Sequence, residues 1–244
     1  MKVVTPFRPF VPESPAHRKL GPFDWVAAVW MLRRSVALAC RCDTYALTDL
    51  GTPDLGLSHR YAPTETRLML WILEVCEQYL TSDDFDQDTV LISPDALVFA
   101  DLHRFFAGAD LGIVVRGGKF ADKRPLLNGV QFWAVAAKDR LVEFYQRARA
   151  IAATLPESSL RWGADTIPLV KLLAPVCAGR QRRAGLTVDG IRHASILLGP
   201  TEGDMQRIGR GQRPAPAPIV DFKYTRKWLM PAYYAGTVGK MVTR

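Results

Sequence analysis

The sequence predicts an α/β protein in one domain, with a mainly parallel central sheet flanked by helices. Short β-branched or apolar runs alternate along the chain with stretches whose apolar residues recur at helical spacing. The chain has 244 residues and is 48% hydrophobic, enough material for one large core. No internal repeat divides it, so residues 1–244 read as a single unit.

The elements follow in order. Lys2–Thr5 is a β-branched run that meets Pro6 and reads as a first strand. The loop after it, TPFRPFVPESP, carries four prolines in eleven residues. Asp24–Ala39 has helical apolar spacing. Asp43–Leu50 reads as a second strand, closed by the turn GTPDLG. Thr64–Leu80 predicts a helix, with Thr64 and Arg67 where a cap and first turn would stand. Asp88–Phe99 is a buried strand interrupted by Ser93-Pro94-Asp95, and Leu111–Val115 is another. Asn128–Ala137 is a strand followed by a helix over Lys138–Thr154, and Trp162–Leu173 opens a further helix. Thr187–Leu198 holds one or two strands. Residues 199–218, rich in Gly, Pro and Arg, read as a mobile loop. Residues 219–244 return to basic and aromatic character and should pack back onto the domain.

Composition excludes several classes. A mean hydropathy of zero and a 48% apolar content are not those of a disordered chain. Charge interrupts every apolar stretch before the length of a membrane span, and MKVVTPFRPFVPESP has no continuous apolar region of a signal peptide. The expectation is a cytoplasmic protein without membrane insertion. The four cysteines, Cys40, Cys42, Cys76 and Cys177, have no zinc-ligand spacing and read as free thiols. His17, His59, His103 and His193 likewise share no metal spacing, although His17 lies in a basic loop. The net charge of +8 is uneven: residues 1–170 hold 19 basic and 20 acidic side chains, residues 171–244 hold 13 and 4. That bias fits either a polyanion contact or a solvated basic surface.

In parallel α/β sheets ligands sit at the carboxyl ends of the strands. Pro6-Phe7-Arg8, Asp49 and Ser93–Asp95 all fall at strand ends or breaks. The triplet Ser93-Pro94-Asp95 is the most informative, because Pro94 removes a ladder donor and Asp95 puts a charge beside apolar neighbours. Such local violations tend to mark function. A carboxylate there can hold a hard divalent cation, which can grip a diphosphate. The alternative is a plain β-turn with a surface Asp.

Four segments together resemble a family. Ser93-Pro94-Asp95-Ala96-Leu97-Val98-Phe99-Ala100-Asp101-Leu102 is similar to the D-x-D-hydrophobics-x-D-L segment of the GT-A fold glycosyltransferases, with Ser93 in place of the first Asp. Leu127-Asn128-Gly129-Val130-Gln131-Phe132 resembles their F-N-S/A-G-hydrophobic strand, and Trp162-Gly163-Ala164-Asp165 their G-D-Q-D turn. Asp221-Phe222-Lys223-Tyr224-Thr225-Arg226-Lys227-Trp228 resembles their H-F/Y-x-G-x-x-K-P-W element, with Asp221 replacing the His. The four occur in the family's order and cover roughly residues 1–230.

The resemblance implies a GT-A-like domain that transfers a sugar from a nucleoside-diphosphate sugar, UDP-sugars favoured, to a hydroxyl. Asp95 and Asp221 would hold Mn²⁺ or Mg²⁺, with the diphosphate completing the shell. Ser93 would be a weaker ligand or a ribose contact, and Asn128 and Gly129 would lie against the donor. Should Asp221 point away, Lys223, Arg226 and Lys227 would neutralise the diphosphate instead. Thr5, Pro6, Phe7 and Arg8 correspond to the stretch that receives base and ribose, with Phe7 or Phe10 stacking and Arg8 reaching a phosphate. That loop could equally pack its aromatics in the core. Asp165 would bind an acceptor hydroxyl or act as general base, or simply open its helix. Trp162 and Trp228 could stack on a sugar or base. The motif order is more like the retaining branch. Residues 219–244 would close the donor site.

The acceptor stays open among saccharide, protein, small molecule and DNA carrying a hydroxymethylated base, the last on the strength of the basic C-terminal portion. A nucleotidyltransferase is the next class, though TPFRPFVPESP lacks the glycines of its signature loop. A non-catalytic nucleic-acid-binding protein is the third. Neither a P-loop nor a G-x-G-x-x-G is present.

Overall fold

The computed structural model describes residues 1–9, 23–103, 108–116, 125–160, 164–177, 183–198, 205–208, 217–222 and 224–241. Its strands form one 11-stranded sheet in the order β3-β2-β1-β4-β7-β6-β9-β10-β11-β5, with β8 paired to β9. The strands are β1 (Lys2–Pro6), β2 (Thr44–Asp49), β3 (Ser58–Tyr61), β4 (Thr89–Ile92), β5 (Ala96–Val98), β6 (Leu111–Arg116), β7 (Leu126–Trp133), β8 (Arg183–Val188), β9 (Ile191–Leu198), β10 (Met205–Ile208) and β11 (Ile219–Phe222). Pairing is parallel throughout except for β4 with β7, β6 with β7, β8 with β9 and β11 with β5. The mainly parallel α/β architecture is therefore observed.

Helices cover both faces: α1 (Trp25–Cys40), α2 (Leu68–Thr81), α3 (Lys138–Ala153), α4 (Thr166–Leu172), α5 (Ala174–Cys177) and α6 (Met230–Met241). Strand alternation assigns the faces. Val4, Leu47, Ile113, Val115 and Trp133 pack with α2 to α5. Val3, Val90, Ile92, Val114 and Phe132 pack with Leu32 and Val36 of α1. A smaller cluster joins Ala28 of α1 to Val220, Phe222 and Met230 of α6. Gly112 stands opposite Phe132 in the ladder, and a Cβ there would meet the Phe132 ring at 2.6 Å. That position needs glycine for a close approach.

Element boundaries differ from the expected ones where local hydrogen bonding decides them. Asp24 caps α1 by accepting from the Ala27 N–H at 2.8 Å. Thr64 does not cap α2: its hydroxyl donates to Glu74 Oε1 at 3.1 Å, and the helix begins only at Leu68. The Asp88–Phe99 run splits at Ser93–Asp95 into β4, in mid-sheet, and β5, which crosses to the far edge against β11. Thr187–Leu198 resolves into a hairpin whose turn residues Asp189 (φ 51°) and Gly190 (φ 76°) are left-handed. Two strands have no counterpart in the sequence pattern. β3 is an edge strand of partly exposed residues without alternation, and β10 lies inside the stretch that reads as loop. The remainder of 199–218 up to Pro216 lies outside the described residues.

Candidate active site

The topology gathers the site. β1, β4 and β11 run the same way, so their carboxyl ends share one edge of the sheet, and antiparallel β7 and β5 begin there. Four sequence segments thus reach this edge: residues 5–8 at the end of β1, Ser93–Asp95 after β4, Asn128-Gly129 in β7, and Asp221 onward in β11. The turn at Ser93–Asp95 is pinned on both sides. The Ser93 N–H donates to the Gly129 carbonyl at 2.7 Å, and the Phe222 N–H donates to the Asp95 carbonyl at 2.9 Å.

Charge is buried at this turn. Asp95 is 3% exposed, Asp221 0% and Lys227 2%. The Ser93 hydroxyl donates to Asp95 Oδ1, and Lys227 Nζ forms an ion pair with Asp95 Oδ2. Lys227 comes from the 3-10 turn Tyr224–Leu229 that follows β11, and its Nζ lies 4.3 Å from the Trp25 ring centroid. Phe23 packs edge-on against Trp25 at 5.1 Å and against Trp228 at 6.1 Å. Trp228 is 50% exposed at the rim. Arg226 is half-buried in the same turn, while Lys223, Phe10, His17 and Trp162 lie outside the described residues.

A second polar group adjoins the first through Gly129. Trp133 Nε1 and the Tyr145 hydroxyl both donate to Gln131 Oε1, at 3.1 and 3.0 Å. Gln131 Nε2 donates to Asn128 Oδ1, and Asn128 Nδ2 donates to Asp165 Oδ2 at 2.6 Å. An indole N–H can only donate and a carboxylate only accepts. The two amides between them therefore have one orientation each, and Asn128 holds Asp165 by Oδ2 while the Thr166 hydroxyl donates to Oδ1 at 3.4 Å. Residues three apart on a regular strand face opposite ways. Here β7 shifts register against β6 between Gln131 and Leu127, and that bulge turns Asn128 toward Gln131. Asp165 itself stands at the start of α4, where its side chain makes no cap hydrogen bond.

The first loop is placed differently from its expected role. Thr5 and Pro6 are buried in and beside the sheet. The Phe7 ring packs with Val29, Ala46 and Leu55. Arg8 donates to the Glu65 and Thr66 carbonyls and stacks over Trp71 at 5.0 Å. The structure commits Phe7 to the core, the alternative left open by the sequence, and Arg8 to the segment before α2. Asp49 accepts from the Thr52 hydroxyl at 2.8 Å and shapes the turn after β2.

Of the two residues offered to a divalent cation, Asp95 does not fit one as it stands. Both Asp95 oxygens already accept, one from a hydroxyl and one from an ammonium. Among the described residues no group of three or more His, Cys, Asp or Glu side chains could hold a metal ion. Gln131, Tyr145, Trp133, Phe23 and Trp25 join the site without having been singled out by the sequence pattern. A lone Gln in a strand that otherwise reads as buried is the available signal for Gln131.

Comparison with solved structures bears on the fold. A glycosyltransferase involved in glycosylation of the major capsid of PBCV-1 superposes with a TM-score of 0.54 at 12% identity, covering 97% of this chain and 98% of that one. The fold is that of the GT-A glycosyltransferases. The galactosyltransferase LgtC, in complex with donor and acceptor sugar analogs, also superposes at 0.54, with 9% identity over 97% of this chain and 96% of its own. An active-site mutant of LgtC gives 0.54 at 11% identity, with the same coverage. No family profile and no curated protein sequence matches the chain. Among the described residues no helix is long and apolar enough to cross a membrane. In this GT-A frame, the Ser93–Asp95 turn, the Asn128–Asp165 pair and the β11–Lys227 segment meet at one edge of the sheet.

Proposed function

We propose that the chain transfers a sugar from a nucleoside-diphosphate sugar to a hydroxyl acceptor. One observation carries the reading: in a GT-A fold, a buried carboxylate–ammonium pair and a separately oriented carboxylate converge at the carboxyl edge of the sheet. The pair, with Arg226 next to Lys227 in the chain, suits a diphosphate. In the reaction the acceptor oxygen bonds to the anomeric carbon, the bond from that carbon to the phosphate oxygen breaks, and the nucleoside diphosphate leaves. Lys227 and Arg226 stabilise the negative charge that develops on it. Asp165, held through one oxygen by Asn128, orients a sugar or acceptor hydroxyl, or takes its proton. UDP-sugars are the first donors to try, on the resemblance of the four motifs.

A second reading concerns the acceptor alone. Residues 171–244 hold 13 basic against 4 acidic side chains, which would suit a polyanion such as DNA bearing hydroxymethylated bases, beside a saccharide, protein or small-molecule acceptor. Turnover on such DNA that is insensitive to salt would refute it.

Thermal-shift titration with a panel of nucleoside diphosphates and sugar nucleotides tests the donor reading. A ligand at 100 times its dissociation constant adds about 2.7 kcal/mol of stability. A shift selective for one base is expected. No shift with any nucleotide would remove the transferase reading.

A further inference from the structure

We infer that the cation of this donor site is the Lys227 ammonium itself, so that a sugar nucleotide's diphosphate is received without a divalent metal. The inference rests on the donor reading above and adds which charge does the receiving.

The donor set argues for an ammonium. Mn²⁺ or Mg²⁺ in a diphosphate site takes about six oxygen ligands in near-octahedral array. Here the first residue of the triplet is Ser93, and its proton is given to Asp95 Oδ1. The other oxygen of Asp95 takes the Lys227 ammonium. The Trp25 ring centroid lies 4.3 Å from Nζ and that of Phe23 6.0 Å away. An aromatic face offers nothing to an ion that requires oxygen ligands, but it attracts an ammonium. The side chains of Asp95 and Lys227 are 4% and 3% exposed, so each needs the other to remain charged away from water.

The chain also fixes this cation by short tethers. β5 and β11 pair with Asp221 opposite Ala96, and the Phe222 N–H holds the Asp95 carbonyl. Lys227 follows five residues later in the turn Tyr224–Leu229. Asp95, Asp221 and Lys227 together leave one formal negative charge, and Arg226 precedes Lys227 in the same turn. A tethered ammonium cannot be chelated or diluted away, whereas a bound metal can.

The test measures binding of UDP, GDP, ADP, CDP and TDP to the unmodified protein by calorimetry, once in excess EDTA and once in excess MnCl₂. Binding of at least one of them with the same affinity in both is expected. Lys227→Met should then weaken binding in EDTA by about tenfold or more, the loss of one charge-assisted contact. MnCl₂ should partly restore it, because Asp95 is vacated. Lys227→Arg keeps a cation and should keep binding in EDTA, which covers the case in which the Met variant does not fold. Binding that appears only with MnCl₂ in the unmodified protein overturns the inference and leaves the donor reading standing. Unchanged binding by Lys227→Met in EDTA also overturns it. No nucleotide binding in either buffer overturns both.

Discussion

Gln131→Leu removes the centre of the polar chain that ends on Asp165 while nearly preserving side-chain volume. Gln131 is 3% exposed and makes three hydrogen bonds, from Trp133, from Tyr145 and to Asn128. At about 1 kcal/mol net for each, the loss is about 3 kcal/mol, and more because the fully buried Trp133 indole loses its acceptor. Tyr145→Phe breaks only one of these bonds and should cost about 1 kcal/mol. In the Gln131→Leu background that bond is already gone, so the double variant should be little worse than Gln131→Leu alone. Urea unfolding followed by tryptophan fluorescence gives all three values. A Gln131→Leu cost no larger than that of Tyr145→Phe, or strict additivity in the double variant, would refute the chain as drawn.

Other sites follow from the same geometry. Gly112→Ala drives a Cβ to 2.6 Å from the Phe132 ring, itself 1% exposed, and should cost about 1–3 kcal/mol in urea unfolding. Asp24→Ala removes the cap of α1 and should cost about 1 kcal/mol by the same assay. Burial holds the His193 imidazole below its ordinary range, so the folded state favours its neutral form. As pH falls through about 6.5 the unfolded chain takes up that proton first, and stability declines from there downward by at most about 1.4 kcal/mol per pH unit. His193→Gln should flatten that part of the profile of unfolding midpoint against pH; an unchanged slope would count against the assignment.

Much of the fold was legible because its elements are long and periodic. The two helices Trp25–Cys40 and Lys138–Ala153 and the strands at Lys2–Pro6 and Leu111–Arg116 bury one face or both, and their patterns show it. β3 was not legible, since Ser58–Tyr61 is a half-exposed edge strand held by backbone bonds to β2 rather than by side chains. β10 is four residues long within a Gly- and Pro-rich stretch. At the site, the Ser93–Asp95 break was visible as a polar triplet in a buried strand, and only the family resemblance linked it to Asn128 and Asp221. The partner of Asp95 was not visible. Lys227 lies 132 positions away, and only the crossing of β5 to the edge beside β11 brings the two together. Phe7 and Arg8 show the reverse case. Their residue types fit a ligand, but Val29, Leu55 and Trp71 claim them first.

Product analysis by ³¹P NMR tests the central claim most directly, with the protein incubated with sugar nucleotides and a panel of hydroxyl acceptors, alongside a parallel reaction of nucleoside triphosphates with sugar 1-phosphates. The account predicts nucleoside diphosphate released from a sugar nucleotide in proportion to sugar transferred, and no pyrophosphate in the parallel reaction. Pyrophosphate from a triphosphate and a sugar phosphate, with no diphosphate released from any sugar nucleotide, would contradict it and make the chain a nucleotidyltransferase.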